Sequence, residues 1–240
     1  MMVLSSSISP YLKHLSEKII SGFPGICYQC NFDTDGYSDS SVKQLLGYNL
    51  HESLIRAVVK RKSEFVAGRY LARKALIDLG SNETMVGIGF NRAPIWPDSF
   101  LGSITHTKSI AICAVANRDD LKMLGIDVEE FIDFRVVKDI VSNVLLTSEY
   151  PFVGSYTTPN PIVFTLIFSA KESLFKALHP HVGRYFDFSA AQTKDINFQT
   201  GKFTLELVQE LAPSLPVGTT FEGLFEFDNN RVFTVIAQAY

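Results

Sequence analysis

Two stretches of this chain repeat apolar residues at three- and four-residue steps for long enough to require helices. Short apolar runs bounded by turn residues surround both. In the first, from about His51 to Leu79, residues Leu54, Ile55, Val58, Val59, Phe65, Leu71, Ala72, Ala75, Leu76 and Leu79 recur at helical spacing, and Gly80 supplies a stop. The second opens at Asn160-Pro161, because asparagine can cap and proline is tolerated at the first helical position. Its stripe of Ile162, Leu166, Ala170, Leu174 and Leu178 predicts a helix that stops before Pro180.

Strand candidates flank each helix. IAICAVA (110–116) is followed by a polar NRDD turn and then LKMLGIDVEE. KFTLELV, GTTFEGLFEF and RVFTVIAQA succeed one another near the C-terminus, the last two joined across Asn229-Asn230. Each half thus offers a long helix with several hairpin-connected strands, which predicts an α+β chain of two similar lobes, 1–120 and 121–240, each a small antiparallel sheet with a long helix. No low-complexity linker marks the join. Residues 1–50 are the least readable, with short apolar pieces broken by Gly22, Pro24, Gly25 and DTDGYSDSS.

Composition excludes several classes. The 240 residues are 46% hydrophobic and 20% charged, enough apolar material for one large or two small cores. A net charge of -3 gives no global field for nucleic acid or an anionic membrane, so any anion site must come from local clustering. The N-terminus lacks the uninterrupted apolar core of a signal peptide, and no later run is long enough to span a bilayer. The expectation is a soluble cytoplasmic protein with reduced thiols. Cys27 and Cys30 have C-x-x-C spacing but no second pair, so ordinary cysteines are favoured over a metal or redox site.

Four local patterns carry chemistry. In Gly125-Ile126-Asp127-Val128-Glu129, strand alternation puts Asp127 and Glu129 on one face. Two such carboxylates repel unless a cation or water screens them, and Mg2+ typically takes one or two protein carboxylates; an exposed polar face is the plainer alternative. Glu172 and Lys176, four residues apart, either support their helix or act in a site, and Ser169-x-x-Glu172 also fits a capping box. Between Arg56 and Lys74 stand Arg56, Lys60, Arg61, Lys62, Arg69, Arg73 and Lys74, a patch suited to phosphate or simply a solvated face. Gly68 within it hints at close approach by another group, or marks a bend. Gly102-Ser-Ile-Thr-His106 offers a glycine turn, hydroxyls and an imidazole that can hold an anion. Neither a P-loop nor G-x-G-x-x-G occurs.

Taken in order, RKSEFVAGRYLARKAL (61–76), RAPIWP (92–97), GSITH (102–106), GIDVE (125–129), FSAKESLFKAL (168–178) and HPHVGRYFDF (179–188) resemble the phosphopantetheinyl transferases. The resemblance is to the two-lobed monomeric type that serves siderophore, peptide and polyketide synthases, and it covers residues 61–188. It implies a pseudo-twofold α+β fold with coenzyme A between the lobes, Mg2+ (or Mn2+) as the metal, and an apo acyl or peptidyl carrier protein as partner. By the same resemblance, Asp127 and Glu129 are the metal-binding acidic pair, and Glu172 is the third acid, as metal ligand, general base or both. Lys176 meets the diphosphate, and Arg61, Arg69, Arg92, Thr105 and His106 hold the nucleotide and its phosphates. Lys171 is a further motif lysine. Phe168 stands where many relatives have tryptophan, and Thr105 where serine is frequent. Two other classes stay open here: a coenzyme A-binding regulator without catalysis, and a partner-binding protein with incidental charged faces.

Overall fold

The computed structural model describes residues 9–89 and 92–240. The chain divides into two compact units, Met1–Lys122 with Tyr240, and Met123–Ala239. Both are α+β, with an antiparallel sheet and one long helix.

In the first unit, β1 (Leu12–Glu17), β2 (Ile26–Phe32), β5 (Phe100–His106) and β6 (Ile110–Asn117) form a sheet in the order β1-β2-β6-β5. Short helices α1 (Val42–Leu46) and α2 (Glu52–Ile55) precede the long α3 (Val59–Asp78), and β3 (Gly87–Ile88) pairs with β4 (Pro94–Ile95). The apolar pattern from residue 51 predicts one continuous helix, but the chain breaks after α2 and re-enters through an extended Val58. The reason is burial: Ile55, Val58 and Val59, which carry the pattern across the break, are exposed. Gly80 closes α3 in the left-handed conformation, as expected.

The buried face of α3, including Leu71, Ala72, Ala75 and Leu76, packs with Cys30, Phe32, Ala111, Cys113 and Val115 of the sheet. Gly68 marks a close approach, because a Cβ there would lie 2.6 Å from Ile104 Cγ2. The poorly legible N-terminus holds two strands. Their signal is obscured by a register shift between Lys13 and Ser16, with His14 at φ 52°, which breaks the two-residue alternation.

In the second unit, β7 (Met123–Glu130) leads into α4 (Phe134–Val144), α5 (Tyr150–Val153) and the long α6 (Pro161–Val182). A meander of β8 (Ala191–Asn197), β9 (Lys202–Leu207), β10 (Thr220–Asp228) and β11 (Arg231–Gln238) follows. The strand order is β7-β11-β10-β9-β8, so β7, first in the chain, pairs with the last strand. In that register Asp127 stands opposite Thr234 and Glu129 opposite Val232.

Asn160 caps α6 by accepting from the Ile162 and Val163 amides. The helix does not stop at Pro180 but runs one residue pair further, to a C-terminal Gly183 at φ 69°. Proline there forfeits a single backbone bond in a final turn whose carbonyls are already short of partners, which makes it tolerable.

Gly125 sets how closely α6 lies on β7. A Cβ at that position would fall 2.0 Å from the Ser173 carbonyl oxygen and 2.6 Å from the Ala177 nitrogen, both backbone atoms that cannot step aside alone. Gly125→Ala should therefore lower the urea midpoint with little change in slope, at a cost of at least about 1–3 kcal/mol, the usual penalty of overpacking. A midpoint equal to wild type would show that the helix is free to shift.

Candidate active site

The acidic face of the second unit is built by alternation on β7. Ile126 and Val128 are buried on one side, while Asp127 and Glu129 face α6 on the other. Asp127 is only 3% exposed, and both its oxygens are engaged. Lys176 Nζ donates to Oδ1 at 2.6 Å and to the Ile126 carbonyl at 3.1 Å; Ser169 Oγ donates to Oδ2 at 2.8 Å. Burial, then the neighbouring Asp127 charge, pushes the Glu129 carboxyl up to about 8 against the pull of Lys176, with Glu172 and Glu130 adding to the rise. Burial also raises Glu172, which Lys176 opposes and Asp127 reinforces.

Two carboxyls raised by burial and by the Asp127 charge gain from a nearby cation. Among the described residues, no cluster of three or more His, Cys, Asp or Glu side chains is gathered into a ready-made metal cage. Mg2+ needs less than a cage, since it retains waters and takes oxygens from a substrate phosphate. Beside Glu172 lies a cavity of about 200 Å³ lined largely by Leu174, Phe175, Tyr185, Phe186 and Phe188.

The first unit carries the opposite polarity. A cavity of about 590 Å³ is lined by Arg61, Arg69, Arg92 and His106, with Glu64, Phe65 and Ile104 among its walls. Arg69 is 6% exposed, and its guanidinium meets a carbonyl, through Nη2 to Gly87 O at 2.9 Å, and lies 4.9 Å from the Phe65 ring centre. Burial pulls its pKa down. Among the described residues, the buried Nε atoms of Arg61 and Arg69 have no hydrogen-bond partner. Buried donors left unpaired are costly, and a phosphate oxygen relieves that cost. Arg92 holds its turn at φ 63°, a conformation that non-glycine residues rarely adopt. Glu64 approaches both Arg61 and His106 at 3.9 Å.

Comparison with known proteins covers both units. Residues 50–116 match the 4'-phosphopantetheinyl transferase N-terminal domain, and residues 123–223 match the 4'-phosphopantetheinyl transferase superfamily. The 4'-phosphopantetheinyl transferase Svp of Streptomyces mobaraensis is 37% identical over 77% of this chain and 75% of its own length. The chain belongs to the 4'-phosphopantetheinyl transferase family. Enterobactin synthase component D of Salmonella typhimurium is 29% identical over 86% of this chain and 84% of its own. The 4'-phosphopantetheinyl transferase PptT of Mycobacterium tuberculosis is 31% identical, over 76% and 82% respectively.

Several sequence expectations are corrected by the geometry. GSITH is not a turn with free amides: it is the end of β5, paired along β6, and Gly102 is the seat of the Trp96 ring, 2.4 Å from where a Cβ would stand. Alternation then turns Thr105, 4% exposed, to the face opposite Ile104 and His106, which line the cavity while Thr105 does not. Lys171 is not available to a ligand's phosphates. Its three ammonium protons are taken by Glu149 Oε2 at 2.6 Å, Val144 O at 2.8 Å and Phe188 O at 3.2 Å. Burial lowers its pKa against the attraction of Glu149. Cys27 and Cys30 lie on opposite faces of β2, and burial pushes each thiol up to about 12.

Sequence reasoning missed Glu149, Thr234 and the bond from Ser169 to Asp127. The one available signal was Ser169 and Ser173, two hydroxyls a helical turn apart on an otherwise apolar stripe. Phe168, the departure from tryptophan, packs on Phe188 with ring centres 5.2 Å apart.

Lys171→Met should cost about 3–5 kcal/mol, because it strands the fully buried Glu149 carboxylate without its cation. Equal melting curves for variant and wild type would refute the pair's structural role. Glu129 gives a pH signature. Its folded value is raised, so the folded chain holds a proton that the unfolded chain has already released, and stability falls as pH climbs from about 5 to about 8. Glu129→Gln should flatten this decline in the melting temperature of the metal-free protein; parallel profiles would place the titration elsewhere.

Proposed function

We propose that this chain is a coenzyme A-dependent transferase in which the acids of the second unit serve a metal and the cations of the first serve the nucleotide. The family transfers 4'-phosphopantetheine from coenzyme A to a serine of an apo carrier protein, and the product nucleotide is 3',5'-ADP. The observation that carries the division of labour is the pairing of Asp127 with Lys176 beside two carboxyls pushed upward. It sits in one unit, with unpaired, buried arginine donors in the other.

In this reading Arg61, Arg69, Arg92 and His106 hold the nucleotide and its phosphates, and Lys176 stabilises charge on the diphosphate. Asp127 and Glu129, with Glu172 near them, would hold Mg2+ (Mn2+ being the alternative), a donor set that suits an ion taking one or two carboxylates and substrate phosphate oxygens. That ion, when bound, neutralises the diphosphate and improves the departing nucleotide as a leaving group. The aromatic cavity beside Glu172 suits the pantetheine arm, being apolar along most of its wall.

Glu172 then takes the proton of the carrier serine, directly or through one water. A carboxyl raised by burial is better matched to that task near neutral pH than an exposed one. The serine oxygen forms its bond to the phosphorus bearing the pantetheine arm as the bond to the bridging diphosphate oxygen breaks. Lys171 supports this arrangement from behind, by fixing the helix that presents Glu172. The relative named for enterobactin synthase supports carriers of siderophore synthases as the partners.

Glu172→Gln tests the base. Glutamine keeps the size of the side chain but cannot carry a proton away. The variant should melt at or above the wild-type temperature and bind coenzyme A, while transfer to an apo carrier, read by mass shift, falls by two or more orders of magnitude. Transfer within a few-fold of wild type would remove Glu172 from the chemistry.

A further inference from the structure

Behind Asp127 lies a run of buried hydroxyls that the transfer reaction does not itself require. Thr234 stands opposite Asp127 across the β7–β11 ladder, so the two side chains share a face. Ser169 and Ser173, one helical turn apart on α6, descend onto that face where Gly125 lets the helix come close. All three hydroxyl residues are fully buried. Ser173 Oγ lies 2.7 Å from Thr234 Oγ1 and 3.2 Å from the Thr234 carbonyl oxygen. Thr234 Oγ1 lies 2.9 Å from Ser169 Oγ and 3.0 Å from the Ser169 carbonyl oxygen. Ser169 Oγ reaches Asp127 Oδ2 at 2.8 Å.

Proton counting gives this run a direction. A carboxylate only accepts, so the single Ser169 proton is spent on Asp127. The contact between Ser169 and Thr234 can then be donated only by Thr234, which shares its one proton between the Ser169 hydroxyl and the Ser169 carbonyl, and that between Thr234 and Ser173 by Ser173, which shares its proton with the Thr234 carbonyl. Donation therefore runs Ser173 to Thr234 to Ser169 to Asp127, each donor polarising the next, and ends in a charge-assisted bond. With Lys176 on Oδ1 and Ser169 on Oδ2, the carboxylate is held at both oxygens.

We propose that Thr234 and Ser169 are positioning residues for the divalent cation, orienting Asp127 through this directed hydroxyl chain. The inference rests on the assignment of Asp127 as a metal-binding acid. Outer partners of this kind set ligand orientation, and their loss typically weakens metal binding by about 10- to 100-fold. The chain predicts that the hydroxyl of Thr234, rather than its shape, is what the cation senses.

The test is Mn2+ affinity of the purified full chain, followed by electron paramagnetic resonance of free Mn2+, with thermal melting run in parallel. Thr234→Val keeps the shape and removes the hydroxyl, and should weaken Mn2+ binding by about 10-fold or more. Thr234→Ser keeps the hydroxyl and loses a methyl; it should lose melting temperature yet bind Mn2+ within about two- to three-fold of wild type. Rescue by serine is what a purely structural role would not produce. If Thr234→Val does not fold, Ser169→Ala removes the last donor and should show the same loss. Wild-type Mn2+ affinity in a folded Thr234→Val or Ser169→Ala, or equal losses in the valine and serine variants, overturns the inference. Asp127→Asn separates the two levels: if it binds Mn2+ as wild type does, the metal assignment falls and the inference with it. If it alone is impaired, only the hydroxyl chain is refuted.

Discussion

Helix α6 touches β7 backbone to backbone because residue 125 has no side chain. Much of the second unit's chemistry depends on that approach. At this distance Lys176 reaches both the Asp127 carboxylate and the Ile126 carbonyl, and the serine hydroxyls reach Thr234. A helix held farther off would leave Asp127 facing water, where a D-x-E strand is merely a polar surface. Close packing also removes the water that would otherwise screen the acids, which is why Glu129 and Glu172 are both raised. The glycine thus acts on the electrostatics through geometry.

The two units solve opposite charge problems. In the second, acids are crowded and relieved in part by a single lysine. In the first, arginine donors are buried with their Nε atoms unpaired. Each arrangement is costly in isolation, and each is relieved by the other's complement: a cation for the acids, phosphate oxygens for the arginines. The net charge of -3 conceals this, because the fields that matter are local and of opposite sign.

Neighbouring residues on α6 illustrate how far a motif can be read. Lys171 and Glu172 are adjacent in sequence, but one residue of helix turns the side chain by roughly 100°. Both border the cavity, but Lys171 spends its ammonium on Glu149 and two carbonyls, whereas Glu172 is placed toward Lys176 and Asp127. The same logic separates Thr105 from His106 on β5, where a single step reverses the face. The resemblance counted all four among its motif residues; the periods of helix and strand, once the buried face was known, separate them.

Sequence by itself determined the class of the fold and the shared face of Asp127 and Glu129 on their strand. The apolar periods of the long helices, the Asn160-Pro161 start, the Gly80 stop and the strand alternation in GIDVE are local properties, fixed by backbone geometry over a few residues. Tertiary structure alone decided which polar side chains serve the site. The break before Val59 came from the exposure of residues whose pattern looked buried. The withdrawal of Lys171 required Glu149, 22 residues earlier, and the directed chain behind Asp127 required Thr234, 65 residues beyond Ser169. Hydrogen-bond partners so distant in sequence leave no periodic trace, because what joins them is the packing of one helix against the pairing of the unit's first and last strands.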